Sequence, residues 1–66
     1  MTVKELKCGE MFTLRPIEKK EPLASQVFIR RKYDRSVRKY WCERYSDISD
    51  GKFLPGDKEV YQNFIF

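Results

Sequence analysis

Hydrophobic and polar residues alternate over several short segments of the chain, with the period of two that is typical of half-buried β-strands. The clearest segments are Met11 to Arg15, Gln26 to Tyr33, Lys39 to Tyr45 and Glu59 to Phe66. Glycine, proline and aspartate residues that favour turns separate these segments. No helical period is sustained for even three turns. The pattern therefore predicts an all-β fold.

Counting Phe53-Leu54 as a further short strand, we expect a five-stranded SH3-like barrel or a strongly bent antiparallel sheet. Closing a barrel removes the exposed strand edges that a small sheet would otherwise present. Ser46-Asp47-Ile48 could open one helical turn, Pro55 to Lys58 is typical of a turn, and Glu18 to Pro22 of a polar loop. The chain has 66 residues, which predicts one small β domain over 1–66, near the lower size limit for folding alone.

The second and third strands are predicted to form a hairpin. A turn over Arg35 to Arg38 would place Tyr33 opposite Tyr40, and the same register would place Arg30 opposite Glu43. Because strand side chains alternate between faces, one face then carries Val27, Ile29, Tyr40 and Cys42, and we assign it to the core beside Phe12, Leu14, Val60 and Phe64. The other face then carries Phe28, Arg30, Lys32, Lys39 and Trp41.

Two arginines, Arg31 and Arg44, fit the assigned core face poorly. Either they lie at its rim, with their aliphatic stems buried and their charges in water, or a β-bulge near Arg31 reverses the alternation. The sequence leaves both alternatives open.

Positive charge is concentrated in this hairpin. Residues 30–44 contain seven basic and two acidic side chains, a sum of +5, whereas the other fifty-one residues sum to −1. The same segment is rich in aromatic residues. Local positive charge among aromatic rings is typical of a surface that binds a polyanion.

Nothing in the sequence points to catalysis. There is no histidine, the usual general base, and the three glycines are scattered rather than grouped in a phosphate-binding loop. Cys8 and Cys42 fit no metal-binding spacing. On the predicted core face Cys42 would be an inert thiol, and we expect both cysteines to be free. The sequence therefore predicts a non-enzymatic protein without cofactor or metal.

The leading functional hypothesis is a small module that binds single-stranded or structured nucleic acid through the outer face of the hairpin. Lysine and arginine would contact phosphates, and exposed rings would stack on unpaired bases. The candidate residues are Phe28, Arg30, Lys32, Arg35, Arg38, Lys39 and Trp41.

Two alternatives stay open. An aromatic patch or the terminal edge strand could dock a protein partner or a second copy, which makes the expected state a monomer or weak homodimer. The basic hairpin could also be purely structural, with Arg30 paired to Glu43 and Lys32 over Trp41. No apolar run is long enough to span a membrane, and no signal peptide is recognisable at the amino terminus, so we expect a cytoplasmic protein.

Several short patterns distributed over nearly the whole chain are familiar as a set: Leu6-Lys7-Cys8-Gly9-Glu10-Met11-Phe12, Val27-Phe28-Ile29-Arg30, Tyr33-Asp34-Arg35-Ser36, Lys39-Tyr40-Trp41-Cys42, Ser46-Asp47-Ile48 and Gly56-Asp57-Lys58-Glu59-Val60-Tyr61. With them the chain resembles a group of short bacterial proteins of similar length that have no established activity. The resemblance implies no functional residue. In that group a glycine and an acid often stand where this chain has Arg31 and Lys32, so this hairpin is the more basic.

Overall fold

A computed structural model describes residues 1–17 and 21–64. It contains one antiparallel sheet of four strands in sequential order, β1 (Met11–Thr13), β2 (Val27–Asp34), β3 (Lys39–Arg44) and β4 (Asp47–Leu54). Two single turns of 3₁₀ helix, Val3–Glu5 and Ala24–Gln26, precede β1 and β2. The all-β prediction is therefore confirmed for the described residues.

Local turn chemistry explains how the chain enters and leaves the sheet. Gly9 has a φ of 94°, a left-handed conformation that glycine adopts without steric cost. It lies in a turn closed by the backbone bond from Glu10 to the Lys7 carbonyl. After β4, the Lys58 amide donates to the Pro55 carbonyl at 3.1 Å, which confirms the predicted Pro55 to Lys58 turn.

The pairing of β2 with β3 contains a β-bulge. Tyr33 lies opposite Tyr40, as predicted, but Arg30 lies opposite Cys42 and Phe28 opposite Arg44. Two residues of β2, Arg31 and Lys32, therefore face one residue of β3. The extra residue reverses the alternation, so the second of the two sequence alternatives is the observed one.

The core lies on the face that carries Phe28, not on the face that carries Ile29. Its buried members are Val3, Leu6, Phe12, Phe28, Cys42, Leu54 and Val60, with Leu14 and Tyr40 packed against them. The predicted burial of Phe12, Cys42 and Val60 is confirmed. The outer position predicted for Phe28 was wrong, because the bulge turns this ring inward, where it stacks on Phe12 with centroids 5.9 Å apart.

Of the other residues that were predicted to lie in the core, one is buried and four are half-buried. Val27 is fully buried, as predicted, but it is not part of the core cluster. Ile29, Tyr40, Leu14 and Phe64 are only half-buried. For Ile29 the reason is the same bulge, which puts Phe28 on the face of the buried Cys42 and leaves Ile29 on the outer face.

The four-stranded sheet is not closed, so a five-stranded barrel is not formed by its named strands. In place of the predicted last strand there are isolated bridges, Thr2 with Glu59 and Thr13 with Tyr61. The second is a reciprocal pair of backbone bonds of 2.9 and 3.0 Å, so the terminal segment does lie beside β1. The end of that predicted strand, residues 65 and 66, and residues 18–20 of the predicted polar loop lie outside the described residues.

The helical turn predicted at Ser46 to Ile48 was wrong. Tyr45 and Ser46 form the tight turn between β3 and β4, and β4 begins at Asp47. The Asp47 carboxylate accepts bonds from the Ser49 amide and hydroxyl at 3.0 and 2.6 Å. This local bonding by an aspartate is common in turns as well as at helix starts, so the same residues fit either structure.

Candidate nucleic-acid interface

The turn that joins β2 to β3 is organised by the side chain of Asp34. Its carboxylate accepts hydrogen bonds from the Ser36 amide at 2.8 Å and the Ser36 hydroxyl at 2.6 Å. The Ser36 hydroxyl and then its amide lower the pKa of Asp34. The turn ends on Arg38, whose φ of 55° is in the left-handed region. Glycine or asparagine usually occupies this conformation, so arginine is held here at a local cost.

Four basic side chains surround this turn and are exposed: Lys32, Arg35, Arg38 and Lys39. We call these four residues the basic tip. None of them forms an ion pair within residues 1–17 and 21–64. The nearest acid in the register, Asp34 opposite Lys39, is already bonded to Ser36. The tip therefore presents positive charge to solvent.

Arg30 does not belong to this surface. It lies on the inner face, where its guanidinium carbon is 4.3 Å from the centroid of the Tyr40 ring. Its Nε is buried and has no hydrogen-bond partner in the described part of the chain. The predicted pair with Glu43 was wrong: Glu43 accepts a hydrogen bond from Arg31 Nε at 3.0 Å on the opposite face.

Phe28 cannot act as a stacking platform, because only 3% of its surface is exposed. Its ring is instead flanked by two cations, with Arg44 Cζ 4.8 Å and Lys52 Nζ 5.3 Å from the ring centroid. Because of the bulge, Phe28 and Arg30 lie on the inner face and are not part of the predicted interface. Trp41 lies on the outer face.

On the outer face Trp41 pairs edge-to-face with Phe53 of β4, with ring centroids 5.0 Å apart and an angle of 61°. Trp41 is half-buried and Phe53 is 40% exposed. Lys39 is two residues from Trp41 along β3, so it lies on the same face at about 7 Å. The aromatic pair and one residue of the basic tip, Lys39, therefore share the outer face of the sheet.

Sequence reasoning missed Phe53. Its signal was present, since Phe53-Leu54 is an apolar pair followed by a proline turn. Only the β3–β4 register, which places Phe53 opposite Trp41, gives it a partner. A continuous strand from Asp47 was obscured by Asp50-Gly51 in its middle, two residues that are rare inside strands.

The described residues offer no obvious place for a metal. Within 1–17 and 21–64, no three His, Cys, Asp or Glu side chains are grouped so that they could hold an ion. Cys8 is exposed and Cys42 is buried, and both are free thiols. Burial raises the pKa of the Cys42 thiol to about 11, although Arg30 and Lys52 oppose the shift. None of the helices in this part of the chain is long or apolar enough to cross a membrane.

Comparisons with protein-family models, with curated proteins and with solved structures give no match.

Proposed function

We propose that the protein is a non-enzymatic module that binds single-stranded nucleic acid through the tip of the β2–β3 hairpin. The observation that supports the proposal most is the basic tip, four exposed cations without a carboxylate partner in the described part of the chain. Phosphate binding by such cations is independent of sequence and releases counterions. It needs no cavity, only exposed and unpaired charge.

The Trp41–Phe53 pair favours single-stranded over double-stranded nucleic acid as the ligand. Unpaired bases stack on exposed rings whatever their identity, whereas paired bases are hidden in the helix. Phe53 is 40% exposed and lies beside Trp41, so it offers the more accessible ring. A bent sheet presents this surface as well as a closed SH3-like barrel would, so the proposal does not depend on barrel closure.

We expect weak binding, in the range of about 10⁻⁴ to 10⁻⁶ M that is usual for non-specific contacts at physiological salt. The test is a titration of the protein with mixed-sequence single-stranded DNA and RNA at several salt concentrations. Trp41 is the only tryptophan, so its fluorescence reports on the outer face, and backbone amide shifts in NMR spectra map the binding surface residue by residue.

The double variant Arg35→Ala/Arg38→Ala should weaken binding to every sequence alike and reduce the salt slope by roughly 0.7 for each phosphate that the protein no longer neutralises. The matched control is Lys7→Ala/Lys58→Ala, which removes the same charge from two exposed residues elsewhere and should weaken binding less. Phe53→Ala should cost ~1–3 kcal/mol of binding with little change in the slope. Equal weakening in the two double variants would mean that net charge alone, not the tip, attracts the nucleic acid.

The second candidate is a protein-interaction module that uses the Trp41–Phe53 pair as its apolar contact. The exposed fraction of Phe53 favours it, because aromatic side chains are enriched at interface centres. The salt dependence of the affinity distinguishes the two candidate functions. Affinity that comes from phosphate contacts falls steeply as the salt concentration rises, whereas affinity that comes from aromatic docking does not. If the fluorescence and tip amides stay unchanged up to high micromolar nucleic acid at low salt, this candidate moves ahead and the tip is a solubilising device.

A further inference from the structure

A cleft of about 280 Å³ opens on the inner face of the sheet, away from the basic tip. Its lining includes the apolar residues Leu14, Ile17 and Phe28 and the basic residues Arg15, Arg44 and Lys52. Small-molecule sites in proteins typically combine apolar residues with a few polar groups, and the lining of this cleft has both, with Thr13, Ser25 and Gln26 among its polar residues. The volume of the cleft is just below the usual range of about 300–1,000 Å³, which suits a single ring with one substituent.

The charges around the cleft are not balanced. Arg44 already has two partners within the protein: its Nε pairs with the Asp50 carboxylate at 2.8 Å, and its guanidinium donates a hydrogen bond to the Ser25 carbonyl. Arg15 and Lys52 form no ion pair with any described residue. Lys52 Nζ is held 5.3 Å from the centroid of Phe28. The ammonium group of Lys52 and the guanidinium group of Arg15 therefore have no carboxylate partner among the described residues and lie beside the apolar residues of the cleft.

A second observation concerns the same face. Cys42 of β3 lies between Arg30 of β2 and Lys52 of β4 in the register of the sheet. Arg30 is therefore a further cation on the same face as Lys52. The buried Nε of Arg30 has no hydrogen-bond partner among the described residues. Cations that lie close together repel one another, although Arg15 and Lys52 are themselves exposed to solvent. An anion bound on this face would reduce this repulsion.

We propose that this cleft binds a small organic anion, with a carboxylate or phosphate head group and an apolar body about the size of a phenyl ring. The head group contacts Lys52 and Arg15 through charge-assisted hydrogen bonds. The apolar body lies against Leu14 and Ile17. This site is separate from the hairpin tip and does not require that the protein bind nucleic acid.

The test is an NMR titration of the whole protein with four probes: phenyl phosphate, benzoate, benzyl alcohol and inorganic phosphate. The proposal predicts saturable shifts of the amides of residues 14–17, 25, 26 and 52 with at least one of the two aromatic anions. Benzyl alcohol lacks the charge and inorganic phosphate lacks the ring, so each should bind at least about tenfold more weakly. Comparing phenyl phosphate with benzoate shows which head group the cleft prefers.

The decisive variant is Lys52→Met, which keeps an apolar side chain of similar length and removes the ammonium group. It should lower the affinity for the preferred anion by about tenfold or more, whereas Lys52→Arg should retain it. Arg15→Met gives an independent test if Lys52→Met is poorly folded, and Lys58→Met is the control for removal of one charge. Equal binding of benzyl alcohol, or unchanged affinity in both Met variants, would overturn the proposal.

The double variant Arg35→Ala/Arg38→Ala separates this site from the proposed function. It should leave binding of the aromatic anion unchanged while weakening nucleic acid. If instead the anion shifts amides 32–39 and the double variant abolishes them, the anion binds at the basic tip and the cleft is not a site.

Discussion

The indole ring of Trp41 occupies the space where a side chain at Gly51, on the neighbouring strand, would lie. A β-carbon placed at residue 51 would come within 2.7 Å of Trp41 Cζ2 and 2.6 Å of the Cys42 carbonyl oxygen. Such short distances are not tolerated, so the absence of a side chain at Gly51 is what allows the indole to reach across to β4. The position of the Trp41–Phe53 pair depends on this glycine.

The first prediction is that Gly51→Ala destabilises the protein by about 2–3 kcal/mol, because the indole or the β4 backbone must move. Urea unfolding followed by Trp41 fluorescence measures the change, and the emission of the folded variant should shift as the ring is displaced. Gly9→Ala is the contrasting variant. A β-carbon there meets nothing within 4 Å, but φ is +94°, so only ~1 kcal/mol of backbone strain is expected. Similar destabilisation by both variants, with unshifted emission, would contradict a steric role for Gly51.

The second prediction concerns the left-handed backbone of Arg38. Replacing it with glycine removes the steric cost of a φ of 55°, whereas replacing it with alanine keeps that cost. Arg38→Gly should therefore be more stable than Arg38→Ala by roughly 0.5–1 kcal/mol, as measured by urea unfolding. Both variants lose the same charge, so both should weaken nucleic-acid binding equally. A glycine variant that is less stable than the alanine variant would show that φ at residue 38 is not strained.

The third prediction is that the two cysteines differ in reactivity. Burial raises the pKa of the Cys42 thiol to about 11, so almost none of the reactive thiolate is present near neutral pH. Cys8 is exposed. Iodoacetamide should alkylate Cys8 in the folded protein and Cys42 only after unfolding, as mass spectrometry of peptides would report. Modification of Cys42 at the same rate as Cys8 would mean that the core opens readily.

The fourth prediction concerns acid stability. The carboxylate of Glu10 accepts a hydrogen bond from the backbone amide of Lys7 at 2.6 Å. This bond, and to a smaller extent a bond from the side-chain amide of Gln62, lowers the pKa of Glu10 from its ordinary value of 4.5. A lowered folded-state pKa contributes stability that is complete above the unfolded value and is lost as the pH falls through the folded value. Glu10→Gln should therefore be less sensitive to acid below about pH 4.5 than the wild type.

Denaturant unfolding at a series of pH values, from neutral to well below that point, measures the effect. Glu21→Gln is the control, since this exposed carboxylate has no hydrogen bond to another described residue. Equal acid sensitivity of Glu10→Gln and the wild type would contradict the assignment of this hydrogen bond as a source of stability.

Much of the hairpin was predictable because its determinants are local. Asp34 and Ser36 specify the turn through bonds between residues two apart, so the Tyr33–Tyr40 register and the exposure of the turn follow from sequence. The turns at Gly9 and Pro55 are local in the same sense. The candidate residues that remained exposed are those closest to the hairpin turn: Lys32, Arg35, Arg38 and Lys39.

The faces of β2 before the bulge were not predictable in this way. A shift of one residue moves every side chain to the other side of a strand, and either Phe28 or Ile29 could fill a core. Burying a large apolar side chain is worth ~1.5–3 kcal/mol, and Phe28 packs on Phe12 of β1 by turning inward. The sequence offered the bulge as one of two alternatives but could not choose between them.

The sequence by itself determined the all-β class, the strands of the hairpin, its turn and the concentration of positive charge at its tip, because these depend on neighbours along the chain. Only the tertiary structure decided that Arg30 lies on Tyr40, that Phe53 packs edge-to-face on Trp41 beside Gly51, and that Lys52 and Arg15 line one cleft. Each of these pairs joins two different segments of the chain rather than neighbouring residues. Their contacts depend on strand register and on which face the core occupies, and packing across the whole sheet sets both.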